Sequence, residues 1–230
     1  MKLQGFDVSL EQLTENHPPG YCQQVAEIHI ERILHGVLPL LGIQLLSRIY
    51  SELSRLPQAG VWVALHDYQV IGFIAGCSDT RKTFRRLLFR LQWPIAVFIV
   101  ESLFRHNLIK FVKIVLYPLI SGSVKEHSFK ECKSVKPEIL SIAVSRDHQS
   151  NGLGQHLVFA FEEMLQDWQC KGMYRVASNI SGASSNNFYL RNGFSPCHNV
   201  KLNDSWLKVY LKKIPERNSP AGPDTEYLKP

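Results

Sequence analysis

The stretch Glu138-Ile139-Leu140-Ser141-Ile142-Ala143-Val144-Ser145-Arg146-Asp147-His148-Gln149-Ser150-Asn151-Gly152-Leu153-Gly154-Gln155-His156-Leu157 joins an apolar run to a polar turn. Helix-spaced apolar residues follow, and two glycines stand in the first turn of that helix. The N–H groups that open a helix have no partner within it, and the helix dipole adds partial positive charge there, so such a junction can bind an anion. Glycine lets a backbone approach a phosphate closely. On this window alone, phosphate binding and simple loop flexibility are equally good readings. A second window, Ser185-Asn186-Asn187-Phe188-Tyr189-Leu190-Arg191-Asn192-Gly193-Phe194, places two adjacent aromatics on a short helix. The plain reading of such a pair is core aromatics on a short helix.

Other candidates are weaker. Glu138, at the entrance of the apolar strand, is a carboxylate whose pKa partial burial would raise towards neutrality, which suits a general base. A solvated strand-end glutamate is the equally good alternative. His148 lies in the polar turn, where a solvated loop histidine is the simpler reading. Glu27 and His29 sit on the first helix, and Cys170 follows the long one. No Ser/His/Asp order and no metal-ligand spacing stands out, so no metal is expected.

Hydrophobic residues make up 45% of the chain and charged residues 20%, a globular composition with enough apolar material for one sizeable core. The five cysteines, Cys22, Cys77, Cys132, Cys170 and Cys197, are odd in number and widely spaced, which speaks against a disulfide framework and for a reducing cytoplasm. The N-terminus has no signal-peptide core. The longest uncharged apolar run, about 91–100, is too short to span a bilayer, which takes ~20 residues.

The elements that must position these residues follow from periodicity. The segment 3–13 reads as a strand and an entry turn, and 21–34 and 41–56 as amphipathic helices. The runs 61–65 and 70–75 read as a hairpin, with Gly60 and Gly76 at its outer ends. The segment 80–120 reads as two or three helices broken by Pro94 and Pro118, and 121–135 as a loop. Then come a strand at 138–144, a long helix at 152–170, a strand at 173–178, a helix at 184–192 stopped by Gly193, and closing strands around Val200 and 206–211. Residues 215–230 read as a loose tail.

Gln149-x-x-Gly152-x-Gly154 after an apolar strand resembles the acetyl-CoA signature of the GNAT superfamily of N-acetyltransferases, Q/R-x-x-G-x-G/A. The 185–194 window resembles that family's A/S-N-x-F-Y-x-x-x-G-F pattern, at a suitable spacing. The resemblance covers 138–194 firmly and 21–76 more loosely. It implies an α/β fold with a mixed, mostly antiparallel central sheet of six or seven strands flanked by helices, in which two central parallel strands splay to admit the cofactor. It also implies acetyl-CoA as cosubstrate. The backbone amides of Gln149, Ser150, Asn151, Gly152, Leu153 and Gly154 would hold the pyrophosphate. The strand residues Ile142, Ala143 and Val144 would meet the pantetheine arm and polarise the thioester carbonyl. Tyr189 would protonate the leaving thiolate, and Glu138 matches the glutamate that serves as base in histone-type members. Where many members carry asparagine this chain has Gly182, so Asn179 or Asn186 would supply that contact to the cofactor arm.

The implied reaction is transfer of an acetyl group from acetyl-CoA to a primary amine of a small molecule, amino sugars included. The alternatives are a protein lysine or N-terminal acetyltransferase, or an inactive module docking on nucleic acid or membrane. Residues 1–214 are expected to form one acyltransferase domain, with a basic helical insertion at about 80–121 and a tail at 215–230. Between 80 and 120 stand eight basic residues and one acid, Glu101, a surplus larger than the +6 of the whole chain. Such a segment suits a cover over the sheet, a lid on a pocket for a phosphorylated acceptor, or, ranked lower, a membrane contact. The expected partners are acetyl-CoA and an amine, with no nucleic acid, on a monomer or homodimer in the cytoplasm.

Overall fold

In a computed structural model of the chain, residues 2–3, 6–18, 20–34, 36, 38–104, 135–202 and 205–217 are described, and the structural statements below concern these. The strands are β1 (Lys2–Leu3), β2 (Phe6–Asp7), β3 (Ser9–Gln12), β4 (Ala59–His66), β5 (Gln69–Cys77), β6 (Glu138–Val144), β7 (Met173–Asn179), β8 (Ser195–Leu202) and β9 (Ser205–Lys213). The helices are α1 (Gly20–Arg32), α2 (Gly42–Ser54), α3 (Thr80–Phe104), α4 (Leu153–Asp167) and α5 (Ala183–Arg191). Short 3-10 turns precede α2 and α4. The main sheet has seven strands in the order β3-β4-β5-β6-β7-β9-β8, while β1 and β2 form a small ribbon of their own. Every neighbouring pair in the main sheet is antiparallel except β6–β7. This is the mixed, mostly antiparallel sheet expected from the sequence.

The central strands are apolar on both faces because helices cover both. One core cluster joins α1, α2 and the first turns of α3 to the sheet through Val25, Leu46, Tyr50, Phe73 and Leu87. The other packs α4 and α5 on the opposite face through Leu157, Phe161, Leu165, Tyr189 and Phe194. On α4 the buried Leu153, Leu157, Phe161 and Leu165 recur every four residues, one helix face turned to the sheet. The β4–β5 hairpin pairs His66 with Gln69, so its loop is only Asp67 and Tyr68. Both have positive φ, 47° and 60°, as a two-residue turn that matches strand twist requires.

Three expectations need correction. Gly60 and Gly76 lie inside β4 and β5, paired with each other, rather than at the outer ends of the hairpin. Buried pairing extends the strands past the apolar run that marked them. Pro94 breaks nothing: Thr80–Phe104 is one helix with the proline inside it. Proline removes one N–H and its ring crowds the carbonyl four residues back, but Leu87, Leu91 and Ile95 anchor the surrounding turns on the first core. The part of the expected insertion beyond Phe104, and the tail beyond Arg217, lie outside the described residues. Finally, Cys197 on β8 is disulfide-bonded, whereas Cys22, Cys77 and Cys170 are free thiols. Spacing along a sequence does not report the Cα separation that decides whether two cysteines can bridge.

On the α4 face one carboxylate is held inside. Glu162 is 4% exposed, accepts a hydrogen bond from the Tyr174 hydroxyl at 2.6 Å and pairs with Lys212 Nζ at 2.7 Å. The Lys212 ammonium also faces the Phe159 and Phe194 rings. A buried pair that loses one partner leaves an uncompensated charge. Lys212→Met is therefore expected to lower unfolding free energy by about 3 kcal/mol, read by urea denaturation. Lys212→Met combined with Glu162→Gln is expected to recover much of that loss.

Candidate active site

Among the described residues β6 and β7 are the only parallel neighbours, and they stay together briefly. Glu138 pairs with Arg175 and Ile139 with Val176, and no register continues beyond. Both strands run on for several residues, so from Leu140 to Val144 the β7-facing side of β6 has no strand partner. On its other side β6 remains paired with β5 throughout. Ala75 faces Ser141 while Gly76 faces Ile139, which leaves Leu140 as the extra residue of a bulge at the point where the strands part. Backbone N–H and C=O groups away from water require partners. An open strand edge inside a sheet is thus a site for an extended ligand carrying amides of its own.

The turn after β6 leaves a run of backbone amides uncapped. The Ser145 N–H donates to the Ile71 carbonyl, and the His148 N–H to the Ser145 carbonyl. Ser145 Oγ lies 2.9 Å from His148 Nδ1, so the turn is tied to itself and to β5. Arg146 pairs with Glu31 of α1 at 3.7 Å. Ser150 and Gly152 then take positive φ, 66° and 78°. Gly152 is the N-cap of α4 and no side chain caps that helix. The first α4 bonds run from the N–H groups of Gln155 and His156 to the Gly152 carbonyl. The N–H groups of Asn151, Gly152, Leu153 and Gly154 meet no acceptor among the described residues. This is the free-amide cradle that an oxyanion requires. The two glycines serve different needs. Gly152 supplies the left-handed conformation, with open space where a Cβ would point. At Gly154 a Cβ would lie 2.9 Å from the Phe188 ring, so its absence lets α5 close on α4.

Tyr189 projects from α5 into the α4-side core, in the same cluster against which Ile142 and Val144 pack. Its ring stands within 5.5 Å of those of Phe188, Phe194 and Tyr210, centroid to centroid. The hydroxyl makes no hydrogen bond among the described residues. Burial, aided by Tyr210, pushes the phenol well above its ordinary pKa, so it remains a proton donor at any physiological pH. The end of α5 fixes the ring's backbone. The Phe194 N–H donates to the Tyr189 carbonyl and the Gly193 N–H to the Leu190 carbonyl, a Schellman closure with Gly193 at φ 79°.

Glu138 is held more tightly than its place at a strand entrance implied. Its Oε2 accepts from Arg175 Nε at 3.0 Å, Arg175 Nη2 at 2.8 Å and the Thr80 hydroxyl at 2.7 Å. Arg175 and Thr80 escaped the sequence reading. The only available signal was that the β7 residue facing Glu138 in a parallel pair is a cation. Glu138 also stands at the closed end of the splay, about 20 Å along β6 from Val144 at ~3.3 Å per residue. The two asparagines are engaged as well. Asn179 Oδ1 accepts from the Ser181 N–H and hydroxyl. Asn186 donates to the Asn179 and Ile180 carbonyls and accepts from the Tyr210 hydroxyl. They clamp the β7–α5 turn. Gly182, in the position where the family has asparagine, lies in that turn with its N–H on the Asn179 carbonyl.

His29 and Glu27 separate. Glu27 is exposed and accepts from Gln23. His29 is buried, with Nδ1 2.5 Å from the Tyr50 hydroxyl and its ring stacked on Phe73. Desolvation lowers its pKa from 6.5 to about 4.

The architecture defines a class: an α/β sheet parted beside a free-amide helix start. Residues 116–194 match the acetyltransferase (GNAT) family, and a putative GNAT-family acetyltransferase from Desulfovibrio desulfuricans shares the fold. That structure has a TM-score of 0.57 at 11% identity, with 91% of this chain and all of the other covered. SsHAT superimposes with a TM-score of 0.59 at 15% identity, over 91% of this chain and all of its own. The putative acetyltransferase yncA from Salmonella typhimurium, solved with its cofactor acetyl-CoA, gives 0.54 at 15% identity over 94% and 98% of the two chains. No curated protein sequence matches the chain. A segment of the chain thus matches the GNAT acetyltransferase family, and the fold is GNAT-like, as the two sequence motifs implied.

Two outcomes follow from this geometry. Gly152→Asn, which tolerates the left-handed region, is expected to retain acetyl-CoA affinity within about tenfold, whereas Gly152→Glu is expected to abolish it by setting a carboxylate beside the free amides, as read by calorimetric titration. His29 generates a pH dependence of stability. The folded protein disfavours its charged form, so between pH 6.5 and about 4 the unfolded chain binds more protons. Stability therefore falls as pH drops through that window, by about 3 kcal/mol, and His29→Gln is expected to remove that component from the urea midpoint's pH profile.

Proposed function

We propose that the chain is an acetyl-CoA-dependent N-acetyltransferase acting on a primary amine of a small molecule, with amino sugars the first acceptors to test. The observation that carries this reading is the unpaired edge of β6, which leads back from a turn of free amides. The pyrophosphate would sit on the N–H groups of Gln149 to Gly154. The pantetheine amides would complete the open edge at Ile142, Ala143 and Val144, acting as the missing strand. Gly182 removes a side chain from the usual asparagine position, and what remains of Asn179 and Asn186 for the arm is their outward surface. On this reading residues 1–214 act as one domain in the cytoplasm, 80–121 being an insertion and 215–230 a tail.

The chemistry is a direct transfer. The amine must arrive with a free lone pair, since an ammonium cannot attack. Its nitrogen adds to the thioester carbonyl, whose developing oxyanion is met by backbone N–H on β6 near Val144. The C–S bond then breaks, and Tyr189 gives its proton to the departing thiolate. Its hydroxyl has no hydrogen-bond partner among the described residues, and burial keeps it protonated until the thiolate forms. The amine's own proton leaves to water; Glu138, about 20 Å along β6 from Val144, could receive it only through a chain of waters reaching its Oε1, which has no partner among the described residues.

The first experiment is titration with acetyl-CoA against dephosphorylated pantetheine, followed by an acceptor screen with thiol release as readout. Micromolar binding that requires the nucleotide-phosphate half, with turnover on an amine, supports the reading. No binding at millimolar acetyl-CoA overturns it. Tyr189→Phe is expected to lower kcat about a hundredfold and leave acetyl-CoA affinity unchanged. Glu138→Gln separates two roles. If Glu138 is the base, the acidic limb of kcat/KM against pH disappears. If it only ties β6, β7 and α3 together, Tm falls and the limb stays.

A further inference from the structure

The outer face of α3 has no part in the site just described. Its inner residues Thr83, Leu87 and Leu91 are buried against the first core. Turned about half a circle away from them lie Phe89, 73% exposed, and Trp93, 76% exposed, one helical turn apart, with Val97 a turn further. The turns before Phe89 carry Arg81, Lys82, Arg85 and Arg86 on the exposed surface, with no acidic residue between 80 and 97. Arg90 is tied to Glu52 at 3.1 Å. The other four cations have no carboxylate partner among the described residues. Between Arg85, Arg86, Arg90 and the Leu56–Pro57 turn lies an open hollow of about 530 Å³, with Phe89 on its rim.

We propose that this face of α3 docks the protein on an anionic phospholipid surface, the four free cations meeting headgroup phosphates and carboxylates while Phe89, Trp93 and Val97 enter the interfacial layer. Charge complementarity selects the occupant. Two unshielded tryptophan and phenylalanine rings beside four unpaired cations, along ~20 Å of one helix, match the composition of interfacial helices. A nucleic acid would use the cations but leave Val97 in water. A small phosphorylated ligand would fill the hollow and leave Trp93 unused. No helix among the described residues is long and apolar enough to cross a membrane, so the contact proposed is peripheral.

The test is co-sedimentation of the full chain with phosphatidylcholine vesicles with and without phosphatidylserine, over a range of salt. Binding that needs phosphatidylserine and weakens as salt rises is expected. Arg85→Glu with Arg86→Glu should reduce the partition coefficient more than tenfold. Brominated acyl chains should quench fluorescence in the wild type, and Trp93→Phe should remove that quenching. Both variants must keep the wild-type Tm and acetyl-CoA titration; if the double variant does not fold, the lipid and salt dependence of the wild type and the quenching decide. Equal sedimentation with and without phosphatidylserine overturns the proposal, as does absence of quenching. So does competition by free glycerophosphoserine at millimolar concentration, which would make the hollow a small-anion site, or tighter binding to duplex RNA at the same salt.

Discussion

A β-strand in the middle of a sheet that loses its partner on one side is the constraint on which this structure turns. From Leu140 to Val144 the edge of β6 faces an opening in place of β7. Leaving those polar groups without partners inside a protein is costly, and several other features bear on that opening. The bulge at Leu140 sits where the strands part. The Glu138–Arg175 bridge with Thr80 pins the closed end, so the separation has a fixed apex. The two-sided core holds β5 and β6 flat against helices on both faces, so the gap does not collapse by rearranging the sheet.

The turn and the short helix α5 are coupled through packing as well as by chain order. Phe188 rests where a Cβ at position 154 would be, and Tyr189 follows it in sequence. The asparagines of the β7–α5 turn, which the family resemblance pointed to as contacts for the cofactor arm, spend most of their hydrogen-bonding capacity on that turn and on Tyr210. Polar residues near a site often act by holding the backbone in place.

Much of this was legible in the sequence because the local signals agree with one another. The apolar strand, the Gln149–Gly154 spacing and the Phe188–Tyr189 pair each appear within a short window, and the helices they predict start within one residue and end within three of those observed. What was not legible depends on residues far apart in the chain. Thr80 and Glu138 are 58 positions apart, and their bond follows from a tertiary arrangement with no periodic trace. Pro94 was misread because the missing N–H and the crowded carbonyl are local penalties, whereas the packing of Leu87 and Leu91 that outweighs them is not local. His29 and Glu27, two residues apart on α1, looked equivalent in sequence. Helix rotation puts one in the core and the other in water.

The close approach of Phe188 to Gly154 has a further consequence. On the proposed function, it couples the amides that would hold the phosphates to the tyrosine by direct packing of α5 on α4. Any carrier bound there is measured like an object in a pair of calipers. An acyl group on an arm a few atoms shorter than phosphopantetheine would be anchored correctly yet present its sulfur short of the hydroxyl. Carrier selection would then come from length, enforced by the distance between two ends of a packed helix pair, with no residue needed to recognise the middle of the arm.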